Sequence, residues 1–509
     1  MDQQFLFDVI PDDKFKILTN EELIILARGE HQMRLHYEEE NKRLLKMLDC
    51  SEQKSLLIED QLVIIKSKIF GKSSEKSAIQ SNVPKDPNKK IKKVKIQLPS
   101  LRYPNAPLIE KDIELAELPS CNACGNQMED SGLTEDSEQL TTIPRQFSIV
   151  RFKRHKYRCG CCHGDLKTAP ALPKIKEGSS YSDEMIIDVA LSKYCDLIPI
   201  DRYVAMAKRS GIMDLPPNSL IQLTHNLADF LAVIYNKIKS EIIKDKTIRG
   251  DETPHRMLEG DETSNWSLWG FSTNTASYFE AHNTRSGDVA IEFLKDSDCE
   301  FFMSDAYSGY NKAIRITNDY RITNGKLEII KLYCNAHARR KFSDSLINFE
   351  KETNYFIKCY RKIYGLEDKK RLTFKKRRIW QRIYFRLMER MAIKLRNRYP
   401  PKSSLGKAMN YLLNHFVELT TFLKHEDLPI DNNSQERLMR SPVIGRKTWY
   451  GNHSRKGAMT SAILFSIVES CKLNNVNPRI YFKEIVQSIH QGYEALTPAE
   501  YAKFADSKR

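Results

Sequence analysis

No stretch of the 509-residue chain strings together 18 apolar residues, which excludes a membrane-spanning helix. Nor is there an apolar run of leader length at the N-terminus. Met1 to Lys14 carries four aspartates, so secretion is not expected. Cysteine is odd in number, 11 in a long chain, which argues against a disulfide framework and for reduced thiols or a metal site in the cytoplasm. Acid is the scarcer charge: 66 Asp and Glu stand against 81 Lys and Arg, a net +15. Hydrophobic content is 41%, slightly under the roughly 45–50% of globular chains, yet too high for a disordered polymer. At about 150 residues per domain the length predicts roughly three domains.

The positive excess is concentrated. Between Arg361 and Arg398 there are 15 Lys and Arg against three acids, a net +12. Arg382, Arg386, Arg390, Lys394 and Arg398 recur every four residues, as do Ile379, Ile383, Leu387, Met391 and Leu395. On a helix these form neighbouring cationic and apolar stripes. A solvated face is the bland reading; so few balancing acids favour contact with a phosphate backbone. A second run, Lys85 to Lys95 beside Pro84 and Pro87, reads as a basic linker.

Residues 20–70 contain no Pro and only Gly29, and Leu44, Leu48, Ile58, Leu62, Ile65 and Ile69 recur at three and four. A helix with a partial heptad is expected, its register broken around Ser51 to Ser55. Residues 182–194, 199–209 and 217–243 are expected as helices around a glycine-containing turn, which also suits a helix-turn-helix reader of DNA. Strands are expected within 247–257, 266–272, 276–282, 300–304 and 327–334, with a helix at 287–295, in a mixed α/β sheet. Residues 337–426 read as helical, another helix opens near Asn432 or Asn433, and 457–491 is mostly helical.

Cys121-Asn-Ala-Cys124 and Cys159-Gly-Cys-Cys162 are two CxxC pairs within a short, turn-rich stretch. Four thiolates so arranged close a tetrahedral shell around one structural Zn²⁺. Cys161 or His163 stands as an alternative for one ligand, and a redox pair is the competing use of the thiols. Among the acids, Asp251 lies in a strand region, Asp305 closes the apolar run Phe301-Phe-Met-Ser, and Glu436 falls in the first turn of the helix opening near Asn432. Carboxylates on neighbouring strands joined by one from a helix can hold two Mg²⁺ (or Mn²⁺) ions for phosphodiester chemistry. Glu252, Asp261, Glu262, Asp427 and Asp431 compete, and Gly260-Asp-Glu-Thr263 repeats Gly250-Asp-Glu-Thr253, so local context leaves Asp251 and Asp261 both open.

Nearly from end to end the chain resembles the transposases of the bacterial insertion-sequence-sixty-six family, within the DDE, RNase H-like superfamily. The motifs that carry the likeness occur in order. Phe70-Gly-Lys-Ser-Ser-Glu-Lys76, the CxxC pair with Lys156-Tyr-Arg-Cys159, and Ser192-Lys-Tyr-Cys-Asp-Leu-Ile-Pro199 come first. Asp251-Glu-Thr-Pro254, Ser304-Asp-Ala-Tyr307, Ala336-His-Ala-Arg-Arg-Lys-Phe342 and Ser404-Leu-Gly-Lys-Ala408 follow. Ile430-Asp-Asn-Asn433 with Glu436-Arg437, and Gly445-Arg-Lys447 with Trp449, close the series. The family's tryptophan before the Ala-His-Ala-Arg-Arg run is Asn335 here.

The resemblance implies a multidomain α/β protein: an N-terminal helical or coiled-coil region (1–80), a basic linker (81–114), a zinc ribbon (115–175) and a helix-turn-helix-like DNA-binding region (182–243). An RNase H-like core (244–456) with a helical insertion at about 343–426 follows, then a C-terminal helical region (457–509). It implies that Asp251, Asp305 and Glu436 are the catalytic, magnesium-holding triad, Pro254 favouring Asp251 over Asp261. It further implies cleavage and joining of double-stranded DNA at element ends, a homodimer or higher oligomer on DNA, small accessory proteins of the same element, and a cytoplasmic, nucleoid-associated location. Arg437, Arg440, Arg446 and Lys447, close to Glu436, and His337, Arg339, Arg340 and Lys341 are candidates for phosphate contact beside Arg382, Arg386, Arg390 and Lys394. Capping or core packing is the competing reading for His337, and plain packing for Trp449. A nuclease that cuts without joining, and a catalytically dead repressor, are the alternative functions.

Overall fold

The computed structural model describes residues 19–70, 98–103, 108–110, 126–127, 137–141, 145–158, 166–258, 265–367 and 372–507. They fall into two compact units, one of residues 1–71, 154–205 and 215–509, the other of residues 72–153 and 206–214. In the smaller unit a single helical turn, Pro99–Arg102, is held by Glu138, whose carboxylate accepts the amide (2.7 Å) and hydroxyl (2.8 Å) of Ser100. The zinc-ligand candidates Cys121, Cys124, Cys159 and Cys162 lie outside the described residues, as do Asp261 and Glu262. Among the described residues no helix is long and apolar enough to cross a membrane.

The larger unit opens with a continuous helix, α1 (Asn20–Phe70). As expected, it is one helix; the seam of apolar residues shifts register around Ser51 to Ser55 without ending it, since serine costs a helix only about 0.5 kcal/mol. Asp60 is buried and anchors α1: its carboxylate accepts the backbone N–H (2.7 Å) and hydroxyl (2.8 Å) of Ser404 and the amide of Asn348. The heptad positions Leu44, Leu48, Ile58, Leu62 and Ile65 remain exposed.

A short hairpin, β1 (Lys156–Arg158) and β2 (Leu166–Thr168), precedes four helices: α2 (Asp183–Tyr194), α3 (Ile200–Arg209), α4 (Pro217–Phe230) and α5 (Ala232–Ile243). The single helix expected over 217–243 is two, interrupted at Leu231, whose carbonyl starts the second. Then come β3 (Thr247–Arg256), β4 (Asn265–Ser272), β5 (Ser277–His282), α6 (Asp288–Leu294), β6 (Phe301–Ser304), α7 (Ser308–Thr323) and β7 (Ile330–Tyr333). They build one mixed sheet in the order β5-β4-β3-β6-β7, with β3, β4 and β5 antiparallel and β6 and β7 parallel to β3. Both faces are apolar: Trp269, Phe271, Phe279 and Phe302 are fully buried, each side chain stabilising by about 1.5–3 kcal/mol.

After β7 come α8 (Asn335–Ser345), α9 (Glu350–Glu367), α10 (Phe374–Leu395), α11 (Ser404–Asn414) and α12 (Phe416–Thr420). Their apolar faces close a separate core on β6 and β7 through Phe342, Phe356, Phe385, Leu412 and Leu423. The chain returns to the sheet with α13 (Asn433–Trp449), then α14 (Arg455–Leu473), α15 (Pro478–His490) and α16 (Pro498–Ser507). Helix α14 covers edge strand β5. Ser466 accepts the N–H of Phe279 (2.8 Å) and Ser470 that of Ser277 (2.9 Å), while Tyr235 of α5 donates to the carbonyl of Phe279 (2.8 Å). Side chains thus satisfy backbone groups that an open edge would expose to pairing. Residues 182–243 accordingly share this core: α2 and α4 pack on α14, and α5 lies on β5.

Candidate active site

Strands β3 and β6 run parallel, pairing Thr247 with Phe301, Ile248 with Phe302 and Arg249 with Met303. The paired positions differ by 54 residues, and Asp251 and Asp305 differ by the same 54. Two acids far apart in sequence are thus brought side by side where the strands part. Asp305, one residue past β6, accepts the N–H of Tyr307 (3.0 Å), and Asp251 accepts that of Glu252 (3.0 Å).

Glu436 arrives from the other direction, in the first turn of α13. Two local features seat that helix. Gly270, opposite Asp251 on β4, has no side chain where α13 crosses: a Cβ there would lie 2.4 Å from Nε2 of Gln435 and 2.7 Å from Sδ of Met439. Asn432, buried at the head of α13, donates its amide to the carbonyl of Gly250 (3.1 Å). Electrostatics records the convergence. Burial first, then the negative charges of Glu252, Asp305 and Glu436, push the Asp251 carboxyl up to about 7. A buried carboxyl with further acids beside it favours cations, and oxygen donors alone suit hard divalent ions.

Two of the competing acids are otherwise engaged. Glu252 is nearly covered and held by Arg285 (Nη2 2.7 Å, Nε 3.0 Å). Asp431 caps its own turn, accepting the backbone (3.1 Å) and side-chain (2.7 Å) N–H of Asn433.

Of the cation candidates, two reach Glu436. Nδ1 of His337 is 3.7 Å from Oε1 and Nη2 of Arg340 is 4.0 Å from Oε2. Arg339 and Lys341 instead lie over the rings of Tyr364 (5.8 Å) and Tyr411 (4.8 Å). Arg437 and Arg440 are exposed on α13. Arg446 and Lys447 line a cavity of about 540 Å³ with His255, Arg256, Trp266 and Tyr450, at the end of the strand that carries Asp251. Trp449 packs edge-on against Tyr194 (6.3 Å between centroids), with Lys193 over its ring at 5.4 Å.

On α10 the buried face is Gln381, Phe385, Met388, Ala392 and Leu395, leaving Arg382, Arg386, Arg390 and Lys394 exposed. Arg386 pairs with Glu389 (2.7 Å). The expected apolar stripe is not the buried one throughout: Ile379, Ile383 and Leu387 face solvent while Leu395 is buried. A period of four overshoots the helical 3.6 and drifts about 40° per repeat, so the stripe winds from solvent into the core.

Sequence reading passed over Cys334. It follows β7 as the N-cap of α8 and places Sγ 4.0 Å from Oε1 of Glu436. Burial pushes its thiol up to about 12. Only the spacing Cys334-x-x-His337 hints at it in the sequence. Asn335, where the family has tryptophan, is buried and donates to the carbonyls of Leu419 (2.9 Å) and Ile430 (3.0 Å), tying α8 to the segment before α13.

Residues 178–460 match the transposase IS66 family, and residues 119–163 match the zinc-finger binding domain of transposase IS66. The chain belongs to the transposase IS66 family. Membership implies a transposase role and action on DNA, and the second match spans all four CxxC cysteines, supporting structural zinc. Relatives in Sinorhizobium fredii carry the same body. The uncharacterized protein y4hP is 24% identical over 413 residues, covering 75% of this chain and 72% of its own. The uncharacterized protein y4qI is 26% identical over 384 residues, covering 70% and 69%.

Proposed function

We propose that the protein is a DDE transposase that cleaves DNA strands at the ends of its element and joins them to a target, on an RNase H-like core. The observation that carries this reading is the meeting of Asp251, Asp305 and Glu436 at the parting of β3 and β6 beneath α13. The sheet order, three antiparallel strands followed by two parallel ones, supports the RNase H-like assignment.

In this reading Asp251 and Asp305 would hold Mg²⁺ or Mn²⁺ ions and Glu436 would complete their ligand set. When bound, a pair of such ions supplies an activated attacking oxygen and stabilises the leaving oxygen of a phosphodiester. The chain's own residues do the rest. The buried Asn432 link fixes Glu436 against the strand of Asp251, so the acids are preorganised. Nη2 of Arg340 sets a positive charge 4.0 Å from Oε2 of Glu436. Arg437, Arg440, Arg446 and Lys447 along α13, with His337 on α8, position the backbone phosphates of the strand. Arg382, Arg390 and Lys394 on α10 extend that contact along the duplex. Arg339 and Lys341 contribute charge from the flank of α8.

Phosphate contacts carry no sequence, so recognition of element ends falls to the zinc ribbon, with Cys121, Cys124, Cys159 and Cys162 as its ligands, or to the helices of 182–243. The exposed heptad face of α1 suits pairing of two chains on DNA. Small companion proteins of the element remain part of this reading.

The test is a strand-transfer assay on pre-cut element ends with Mg²⁺. Joined product, lost in Asp251→Asn, Asp305→Asn and Glu436→Gln, is expected. Nicking without joining would assign a nuclease, and binding without either a repressor.

A further inference from the structure

We propose that Cys334, His337 and Glu436 form a second cation site, one that takes a thiophilic divalent ion such as Zn²⁺ and, when filled, draws Glu436 away from Asp251 and Asp305. The withdrawal rests on the proposed triad; the binding does not. One sulfur, one imidazole nitrogen and one carboxylate oxygen lie within 4.8 Å of one another. Zinc–ligand distances are about 2.0–2.3 Å, so side-chain shifts of about an ångström close the set. Cys334 and His337 are one turn apart at the head of α8, and Glu436 sits in the first turn of α13 facing them.

Two observations mark these groups as more than neighbours. Nδ1 of His337 is buried and has no hydrogen-bond partner, although the side chain is partly exposed, and it faces Oε1 of Glu436 at 3.7 Å. A buried nitrogen left unpaired costs about 1–3 kcal/mol, and a metal lone-pair bond would recover it. Sγ of Cys334 accepts the backbone N–H of Asn432 (3.2 Å) and that of His337. These bonds fix Sγ at the head of α8, on the side that faces Glu436.

The donor set also discriminates. Asp251, Asp305 and Glu436 are all-oxygen and suit Mg²⁺, whereas sulfur and imidazole favour Zn²⁺ or Co²⁺. Three protein ligands leave a fourth position open. Glu436 belongs to both sets and cannot serve both at once. With Oε2 already near Arg340, Oε1 is the atom in contention.

The experiment loads the full-length chain with one equivalent of zinc, which the four thiolates take first, and titrates in Co²⁺, which does not displace it from them. A near-ultraviolet thiolate-to-cobalt band saturating at one ion per chain is expected, lost in Cys334→Ser and weakened in affinity in His337→Ala. No band in the wild type, a band that persists in Cys334→Ser, or unchanged affinity in His337→Ala overturns the site. Should Cys334→Ser not fold, His337→Ala, altered at a partly exposed position, decides alone. A second arm adds zinc over saturating Mg²⁺ in the nicking assay. Inhibition of the wild type, absent from whatever activity His337→Ala retains, supports withdrawal of Glu436; equal inhibition of both overturns it. If the wild type does not nick at all, the proposed reaction fails while the cobalt band still decides the site.

Discussion

Asn432 donates its side-chain amide to the carbonyl of Gly250 across 3.1 Å, joining the helix that bears Glu436 to the strand that bears Asp251. Both groups are buried, so the bond is made without competition from water. Asn432→Ala should therefore cost about 1–3 kcal/mol, because it leaves the Gly250 carbonyl unpaired. Denaturant unfolding measures this. Nicking should fall further than DNA affinity does, since the change loosens the acids and not the groups that hold phosphate.

Asp251 makes the metal-free fold sensitive to pH. Its carboxyl is raised to about 7 from 3.8. The fold is thus unburdened by this group below about pH 4, loses stability as pH rises toward 7, and levels off above. At about 1.4 kcal/mol per unit, the penalty reaches up to about 4 kcal/mol. Thermal unfolding in chelator should show Asp251→Asn stabilised relative to wild type at pH 8 and nearly equal to it at pH 4. Mg²⁺ should raise the wild-type midpoint at pH 8 and leave Asp251→Asn nearly unmoved.

Gly270→Ala tests how closely α13 must lie. Its Cβ would press on Gln435 and Met439, both buried, at 2.4 and 2.7 Å. Overpacking of this kind costs about 1–3 kcal/mol. The predicted signature is lower stability together with loss of Mg²⁺-dependent nicking, while zinc content and binding of element ends stay at wild-type levels.

The exposed cations of α10 should behave in the opposite way. Replacing Arg382, Arg390 and Lys394 with Gln leaves the buried face of Phe385, Met388 and Ala392 intact. Stability should change by less than about 0.5 kcal/mol per site. The slope of log affinity against log salt should become shallower by about 0.9 for each phosphate no longer neutralised.

Much of the sheet was legible from the sequence because its strands are short apolar or aromatic runs. All five fall within or close to the segments expected. Helix α7 was not legible. Its buried positions Tyr310, Ala313, Ile314, Thr317 and Arg321 keep helical spacing, but two of them are polar. Arg321 is buried because it donates to the carbonyls of Leu327 and Ser297, a tertiary fact. The break at Leu231 likewise has no glycine or proline to announce it. As for the site, three isolated acids carry no sign that they meet; the family likeness picked them out, and strand register with the Asn432 link supplied the physical reason. Cys334 escaped notice because a single cysteine signals nothing until His337 and Glu436 stand beside it.

The most direct measurement is anomalous diffraction from crystals of the full-length protein soaked in Mn²⁺. Two peaks are predicted within bonding distance of carboxylate oxygens, one between Asp251 and Asp305 and the other reaching Glu436, both lost in Asp251→Asn. Manganese bound elsewhere, or at Asp305 alone with Glu436 uninvolved, would contradict the account.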